Sequence, residues 1–384
     1  MIRRVHFVNF VRKLTLTTVL FLAPLHFLKL GFSGLQIGII VMCFSFAPIV
    51  FSFPTGWMND RFSMKKVILT ALLAQAVLFV AIVLVRGPGL MAAVFLFVGI
   101  ANNALDVSAN SLYYKDDTER NPNRKFGVYN FWLAVGPPVG LLTGGALSYY
   151  SGYRTLLAVF AVVTALSALA ARGFGGERFS MVTIREYRST ILSKGTLAFS
   201  AFLFILATHW GVEGTVYSPF LRARFGLNDF EVAAYMALAY LALASGSLAV
   251  SRLAFRPERN RALLLLGIAL SGLGLMAMVQ SDVRLSFLFR VVHEAGDGLL
   301  GALVLLTVSR LFEKRLIGGS AGILMSFQTM GLMTGALVFS SLGFRAGLQY
   351  PFYIAGALLA ANAVFGLYAV PREGGRGDAA TAPV

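Results

Sequence analysis

Residues 67–85 read VILTALLAQAVLFVAIVLV, nineteen residues without a charge. A helix of that length spans roughly 28 Å, close to the ~30 Å hydrocarbon core of a bilayer. Such a run has no reason to exist in a chain that water surrounds. Eleven further apolar stretches flank it, and short, mostly basic loops separate them. The twelve expected spans are Val5–Leu30, Gln36–Trp57, Val67–Val85, Leu90–Tyr114, Phe126–Tyr149 and Tyr153–Ala171, then Thr196–Phe220, Asp229–Leu253, Ala262–Gln280, Leu285–Leu311, Ile317–Leu342 and Leu348–Val370. The runs lack the period-2 alternation of barrel strands and are twice as long as one, so they are helices. Composition agrees: 57% of the 384 residues are hydrophobic and 13% charged, against about 25% charged in soluble domains. The fold class expected is an all-α polytopic membrane protein in contact with the lipid bilayer.

A net charge of +16 suggests nucleic acid only until its distribution is read. With the N-terminus in the cytoplasm, 25 of the 33 Lys and Arg residues fall on the cytoplasmic side and 7 opposite. Arg12 and Lys13 are counted with Arg3 and Arg4 on the N-terminal arm, and Arg290 is left in the interior of a span. That asymmetry is the positive-inside rule. It predicts a multi-pass protein of the bacterial inner membrane with both termini cytoplasmic, and no nucleic-acid partner. Arg3, Arg4, Arg12 and Lys13 precede an apolar run as in a signal peptide, but Ala23-Pro24-Leu25-His26 is a poor cleavage site, so a retained first span is expected. Cys43 is the single cysteine, which excludes a disulfide within the chain.

Shifting the sequence by 195 residues superimposes Pro24 on Pro219, Lys29 on Arg224, and Gly31, Gly127, Gly136, Gly140 and Gly152 on Gly226, Gly322, Gly331, Gly335 and Gly347. This is an internal repeat. Six spans return the chain to its starting side, so the repeats run parallel. The expected domains are a six-helix bundle over 1–172, a cytoplasmic linker over 173–195 and a second six-helix bundle over 196–384 with a short tail. In the linker, Phe179, Val182, Ile184, Tyr187 and Ile191 suit a short amphipathic helix on the membrane surface.

The loop after span 2, Gly56-Trp57-Met58-Asn59-Asp60-Arg61-Phe62-Ser63-Met64-Lys65-Lys66, resembles the G-x-L-A-D-R-x-G-R-[RK] signature of the major facilitator superfamily of secondary transporters. Gly56, Asp60, Arg61 and Lys66 match, Lys65 adds charge, and Ser63 and Met64 depart. Gly136-Pro137-Pro138-Val139-Gly140 is similar to the antiporter motif of the family's drug-efflux branch, with Leu141 in place of the last Gly. A helix-packing role explains Gly136, Pro137 and Gly140 fully. Asp106 stands in span 4 where the drug-efflux branch usually has an arginine; Gly99 to Asn110 looks instead like a pattern of sugar-permease-like branches. The resemblance implies a twelve-helix fold of two parallel repeats, alternating access, and a central cavity lined by spans 1, 4, 7 and 10.

Those four spans hold the intramembrane polar groups. Asn102, Asp106 and Asn110 share an arc of about 80° in span 4. His209, Glu213 and Tyr217 follow at i, i+4 and i+8 in span 7. Arg290, His293, Glu294 and Asp297 share a face of span 10, and His26 lies in span 1. Ionisable groups at membrane depth are candidates for function. Four carboxylates against one arginine predict compensation by protons or a cationic solute. The expected pairing is Arg290 with Asp106, with Glu213 and Asp297 as proton carriers. The function expected is secondary transport of a small solute, coupled to protons, with export by antiport ahead of symport. A divalent-metal transporter is an alternative. His293-Glu294-Ala-Gly-Asp297 also resembles a zincin helix with Asp for the second His, but spacing identifies no third ligand. Neither a metal nor a cofactor is therefore assigned, and an intramembrane metalloenzyme or a non-transporting receptor remains the reading of another class. No phosphate-cradling Gly-Lys-Ser/Thr loop is present. A monomer is the expected state.

Overall fold

In a computed structural model, residues 2–32, 34–116, 119–174, 183–252 and 257–371 are described. They form fourteen helices: α1 Ile2–Lys29, α2 Gly34–Arg61, α3 Met64–Leu84, α4 Pro88–Lys115, α5 Pro122–Ser151, α6 Tyr153–Ala171, α7 Ile184–Ile191, α8 Lys194–Thr215, α9 Tyr217–Phe225, α10 Asp229–Arg252, α11 Pro257–Ala277, α12 Val283–Leu311, α13 Ile317–Ala346 and α14 Tyr350–Ala369. Twelve are long and apolar enough to cross a membrane, and the chain is a multi-pass integral membrane protein. Local chemistry sets the starts. Pro88 and Pro122 open α4 and α5, where a missing N–H costs nothing. Asn121, Ser193 and Asp282 cap α5, α8 and α12 by accepting backbone N–H bonds, the usual N-cap chemistry.

The seventh span is broken. Pro219 has no N–H to give the Thr215 carbonyl, and its ring crowds that carbonyl. Accordingly α8 stops at Thr215, and α9 resumes at Tyr217.

The 195-residue repeat has a structural meaning. α5 maps residue for residue onto α13, and α4 starts map onto α12 starts. The positive-φ glycines found among the described residues are Gly31, Gly152, Gly226 and Gly347, which are two repeat pairs. Each ends a helix or joins two in a left-handed or neighbouring conformation that other residues avoid. Gly136 and Gly140 lie against the α1 backbone at Phe10 and Leu14, while Gly331 and Gly335 lie against α8 at Phe204 and Thr208. Both pairs let two helices approach within one half. Gly127 meets Ser251 of α10, and Gly322 meets Ser52 of α2, so this pair joins the halves. α5 packs on α10 and α2 on α13; swapping the repeats turns one contact into the other.

Helix α7 forms over residues 184–191, but Tyr187 corrects the expectation of a membrane-surface face. Its ring packs on Phe53 and on Gly319, buried against protein. Phe179 and Val182 lie outside the described residues. The N-terminal count also needs correction. α1 begins at Ile2, so Arg12 and Lys13 stand well inside a helix rather than on an arm.

Candidate functional site

Three polar assemblies occupy the interior. The first sits where α2 and α4 end and α13 begins, on the basic face of the molecule. Asp60 is fully buried. Lys115 Nζ lies 2.6 Å from its Oδ1. Gly318 N and Gly319 N donate to its two oxygens at 3.3 and 2.9 Å, and the Tyr187 hydroxyl donates to Oδ2 at 2.8 Å. A carboxylate on the open N–H groups of a helix N-terminus is electrostatically favoured. It ties α2 to α13 across the halves, with the linker as a third party. Gly56 makes the approach possible: a Cβ there would collide with the Gly318 backbone. Burial, then the Asp60 charge, push the Tyr187 phenol above its ordinary pKa. Outside, Arg315 pairs with Glu186 at 2.7 Å, and bonds from Thr183 hold the Glu186 carboxyl below its usual range. Arg61 lies over the Trp57 ring at 5.1 Å; Lys66 is exposed and Lys65 half-buried.

The second assembly lies between α1, α4 and α5. Arg12, 1% exposed, donates to Asp106 at 2.7 Å and to Asn102 at 2.9 Å. Asn9 donates to the Tyr129 hydroxyl, which donates to Asn110 at 2.6 Å; Asn110 reaches Met325 of the other half. Lys13 is half-buried beside them.

The third assembly joins α8, α9, α11 and α12. Arg290 is fully buried and donates to both Glu213 and Glu294. Its guanidinium lies 4.7 Å above the Tyr217 ring, which the break at Val216 positions. His293 Nε2 is 2.9 Å from Glu213 Oε1, and its Nδ1 is 2.8 Å from the Ser271 carbonyl. His209 Nε2 is 3.2 Å from Asp297 Oδ2, its Nδ1 donates to the Leu206 carbonyl, and Trp210 Nε1 donates to the same Asp297 oxygen at 3.4 Å. Donor atoms of His209, Glu213 and His293 lie within 4.8 Å of one another.

The predicted groups are thus brought together by half, and not across the centre. The expected Arg290–Asp106 pair is absent. Arg12 satisfies Asp106, and Arg290 is held by two acids of its own half. Arg12 was legible as an intramembrane cation from its place in span 1, but its position among basic N-terminal residues disguised it. His26 joins neither network; its ring stacks on Tyr153 at 4.6 Å, at the end of α1 remote from Arg12. Ser271, Trp210, Asn9, Tyr129 and Tyr187 are additions with no motif to announce them. With Asp106 paired to Arg12, the carboxylates in excess of arginine lie in the third assembly, where His209 and His293 face two of them.

Two halves meeting at paired interfaces, with buried ionisable groups on helices of each half, define a solute transporter rather than an enzyme. The sequence profile of the Major Facilitator Superfamily matches residues 5–265 and 199–382, and the chain belongs to that superfamily. It is similar to a protein named multidrug resistance protein MdtG from Citrobacter koseri, 24% identical over 139 residues, and to that of Salmonella arizonae, 26% identical over 114. These matches cover 36% and 30% of this chain and 32% and 28% of the relatives, so the chain aligns with about a third of their length. Among solved structures, the human organic anion transporter MFSD10 (TETRAN) shares the fold. Its TM-score is 0.78 at 16% identity, over 95% of this chain and 99% of that one.

Proposed function

We propose that the protein exports a small cationic or amphipathic solute by alternating access, in exchange for protons. The observation that carries this reading is the charge of the third assembly: Glu213, Glu294 and Asp297 face one guanidinium within a buried site. With His209 and His293 neutral, two negative charges remain at membrane depth and demand positive charge; protons, on the acids or on the histidines paired with them, and a cationic solute supply it in alternation. Glu213 keeps 16% exposure, so a solute reaches it; Asp297 and Glu294 lie deeper. The Arg12–Asp106 pair takes a structural part here rather than the proton-carrying one.

Of the polar bonds described between the halves, Asp60 with Gly318 and Gly319, Asn123 with Asn260 and Asn130 with Ser247 lie toward the basic face, while Asn110 with Met325 and Ser326 with Pro48 lie deeper. This supports a conformer closed on that face, with residues 1–172 and 196–384 as the rocking units and 173–195 as the linker. The lysine and arginine asymmetry supports a cytoplasmic basic face with both termini on it, in a bacterial inner membrane. The multidrug resistance relatives favour export. The test is flux into proteoliposomes under an imposed pH gradient, with a panel of organic cations. Glu213→Gln should abolish gradient-driven accumulation while exchange persists. Flux indifferent to a proton ionophore and to external pH would remove the coupling.

A further inference from the structure

The third assembly also has the form of a metal site, and the third ligand that spacing could not supply comes from a different helix. His209 and Glu213 stand one turn apart on α8; His293 and Asp297 stand one turn apart on α12. Four side chains of the N and O types that bind borderline divalent ions therefore converge from two facing helices. Their disposition is specific. Nδ1 of each imidazole is engaged by a backbone carbonyl, Leu206 for His209 and Ser271 for His293. Such carbonyls orient metal-bound histidines through Nδ1 and turn Nε2 toward the ion; the Ser271 hydroxyl also lies 3.1 Å from His293 Nδ1. Both Nε2 atoms then point at carboxylate oxygens, 2.9 Å from Glu213 and 3.2 Å from Asp297. Each Nε2 needs positive charge between it and the carboxylate it faces, and either a proton on each ring or one shared metal ion supplies it.

A second observation is independent of the imidazoles. Asp297 is 91% buried, its side chain keeping 9% exposure, and its Oδ1 has no hydrogen-bond partner. An orphaned carboxylate oxygen inside a protein is costly. The partner oxygen of the same carboxylate, Oδ2, lies 3.2 Å from His209 Nε2 and 4.0 Å from His293 Nε2, two of the three donors lying within 4.8 Å of one another. A tetrahedral ion with bonds of about 2.0–2.2 Å needs donors about 3.4 Å apart, a contraction that small side-chain rotations supply. Charge fits as well. With both imidazoles neutral, as metal ligands must be, three carboxylates against Arg290 leave two negative charges, and one divalent cation offsets both. Arg290, held by Glu213 and Glu294, disfavours a second ion beside the first.

We infer that His209, Glu213, His293 and Asp297 form a binding site for one divalent transition-metal ion of the zinc and cobalt class. This rests on reading the third assembly as the site where the transporter takes up its compensating positive charge. The probe is cobalt, titrated into the purified full-length protein in detergent, with zinc as competitor. The expected result is a visible d–d band of four-coordinate cobalt, saturating at one ion per chain and bleached by zinc. His209→Gln and His293→Gln should each weaken binding by more than about 100-fold, since even outer-shell losses cost 10- to 100-fold. His26→Gln should leave the titration unchanged. A wild-type protein with no band, or a band insensitive to both variants and lost in His26→Gln, overturns the site whatever the folding of the variants. The transport reading is separable. Proton-driven flux without cobalt binding removes the metal and keeps the coupling, whereas cobalt binding in a protein whose flux ignores pH keeps the metal and removes the coupling.

Discussion

Arg290 offers the sharpest test of the interior electrostatics. It is fully buried, donates to Glu213 and Glu294, and covers the Tyr217 ring. Arg290→Met keeps most of the volume and removes the charge. Deleting one partner of a buried ion pair costs about 3–5 kcal/mol, because the other charge is left uncompensated. A desolvated cation–π contact contributes about 2 kcal/mol more, so the loss should lie at or above the upper end of that range. Glu294→Gln leaves Arg290 paired with Glu213 and should cost only the difference of one charge-assisted bond, about 1.5–3 kcal/mol. In the double variant the stranded Glu294 charge is gone. It should therefore be at least about 1 kcal/mol more stable than Arg290→Met alone, the non-additivity expected of direct partners. Denaturant unfolding in micelles, followed by tryptophan fluorescence, measures all three. If Arg290→Met unfolds within about 1 kcal/mol of wild type, or the double variant is the sum of the singles, the guanidinium does not hold those acids together.

At the basic face, Asp60→Asn should slow transport about 10-fold or more while leaving substrate affinity nearly unchanged, since charge-assisted bonds to Lys115 and the α13 N-terminus are weakened; collapse of binding with unaltered conformational exchange would assign Asp60 elsewhere. Gly318→Val should favour the conformer open on that face, because a Cβ there meets the Gly56 carbonyl oxygen at 2.6 Å and the Asp60 carboxylate at 2.7 Å. Spin-label distances between the ends of α2 and α13 should lengthen; unchanged distances would mean that this contact does not set the closure. The lowered pKa of Glu186 means that its contribution to α7 docking is fully present above the ordinary carboxylate range and is lost as pH falls through the depressed value. Amide exchange over residues 184–191 should accelerate in that acidic window in wild type and lose this dependence in Glu186→Gln.

Hydrophobic length fixed the twelve spans, because a bilayer leaves the backbone few alternatives. The paired glycines fixed the repeat, and they were informative because each does a job only glycine does: a left-handed turn at Gly31 and Gly226, or a close helix approach at Gly136 and Gly331. The chemistry was less legible. Helical spacing found the polar faces of α8 and α12, since periodicity is a property of one helix. It could not say which acid each arginine meets, which depends on how helices face each other. Arg12 and Arg290 were therefore assigned to an arm and to the wrong carboxylate. Tyr187 reads equally well as a lipid anchor or a protein contact until Asp60 is seen above it. The break at Val216 was foreshadowed by Pro219, yet proline inside a span is common enough to pass unremarked.

The repeat preserves packing and discards charge. Gly136 and Gly140 keep their counterparts in Gly331 and Gly335, but Arg12 corresponds to Ala207, Asp106 to Gly301, Glu213 to Thr18, Arg290 to Phe95 and Glu294 to Gly99. Small residues persist where two backbones must approach in both halves, so the packing frame remains two-fold. Ionisable residues are costly at membrane depth, and duplicating them would double the cost with no gain in the motion itself. In this chain the first half closes its arginine and aspartate on each other. The second half sets three carboxylates against one arginine and leaves the balance to the histidines beside them. On the proposed exchange mechanism an exchangeable cation is needed on one side of the pseudo-two-fold axis only, and the symmetric interfaces of α2 with α13 and α5 with α10 would carry the movement that exposes it.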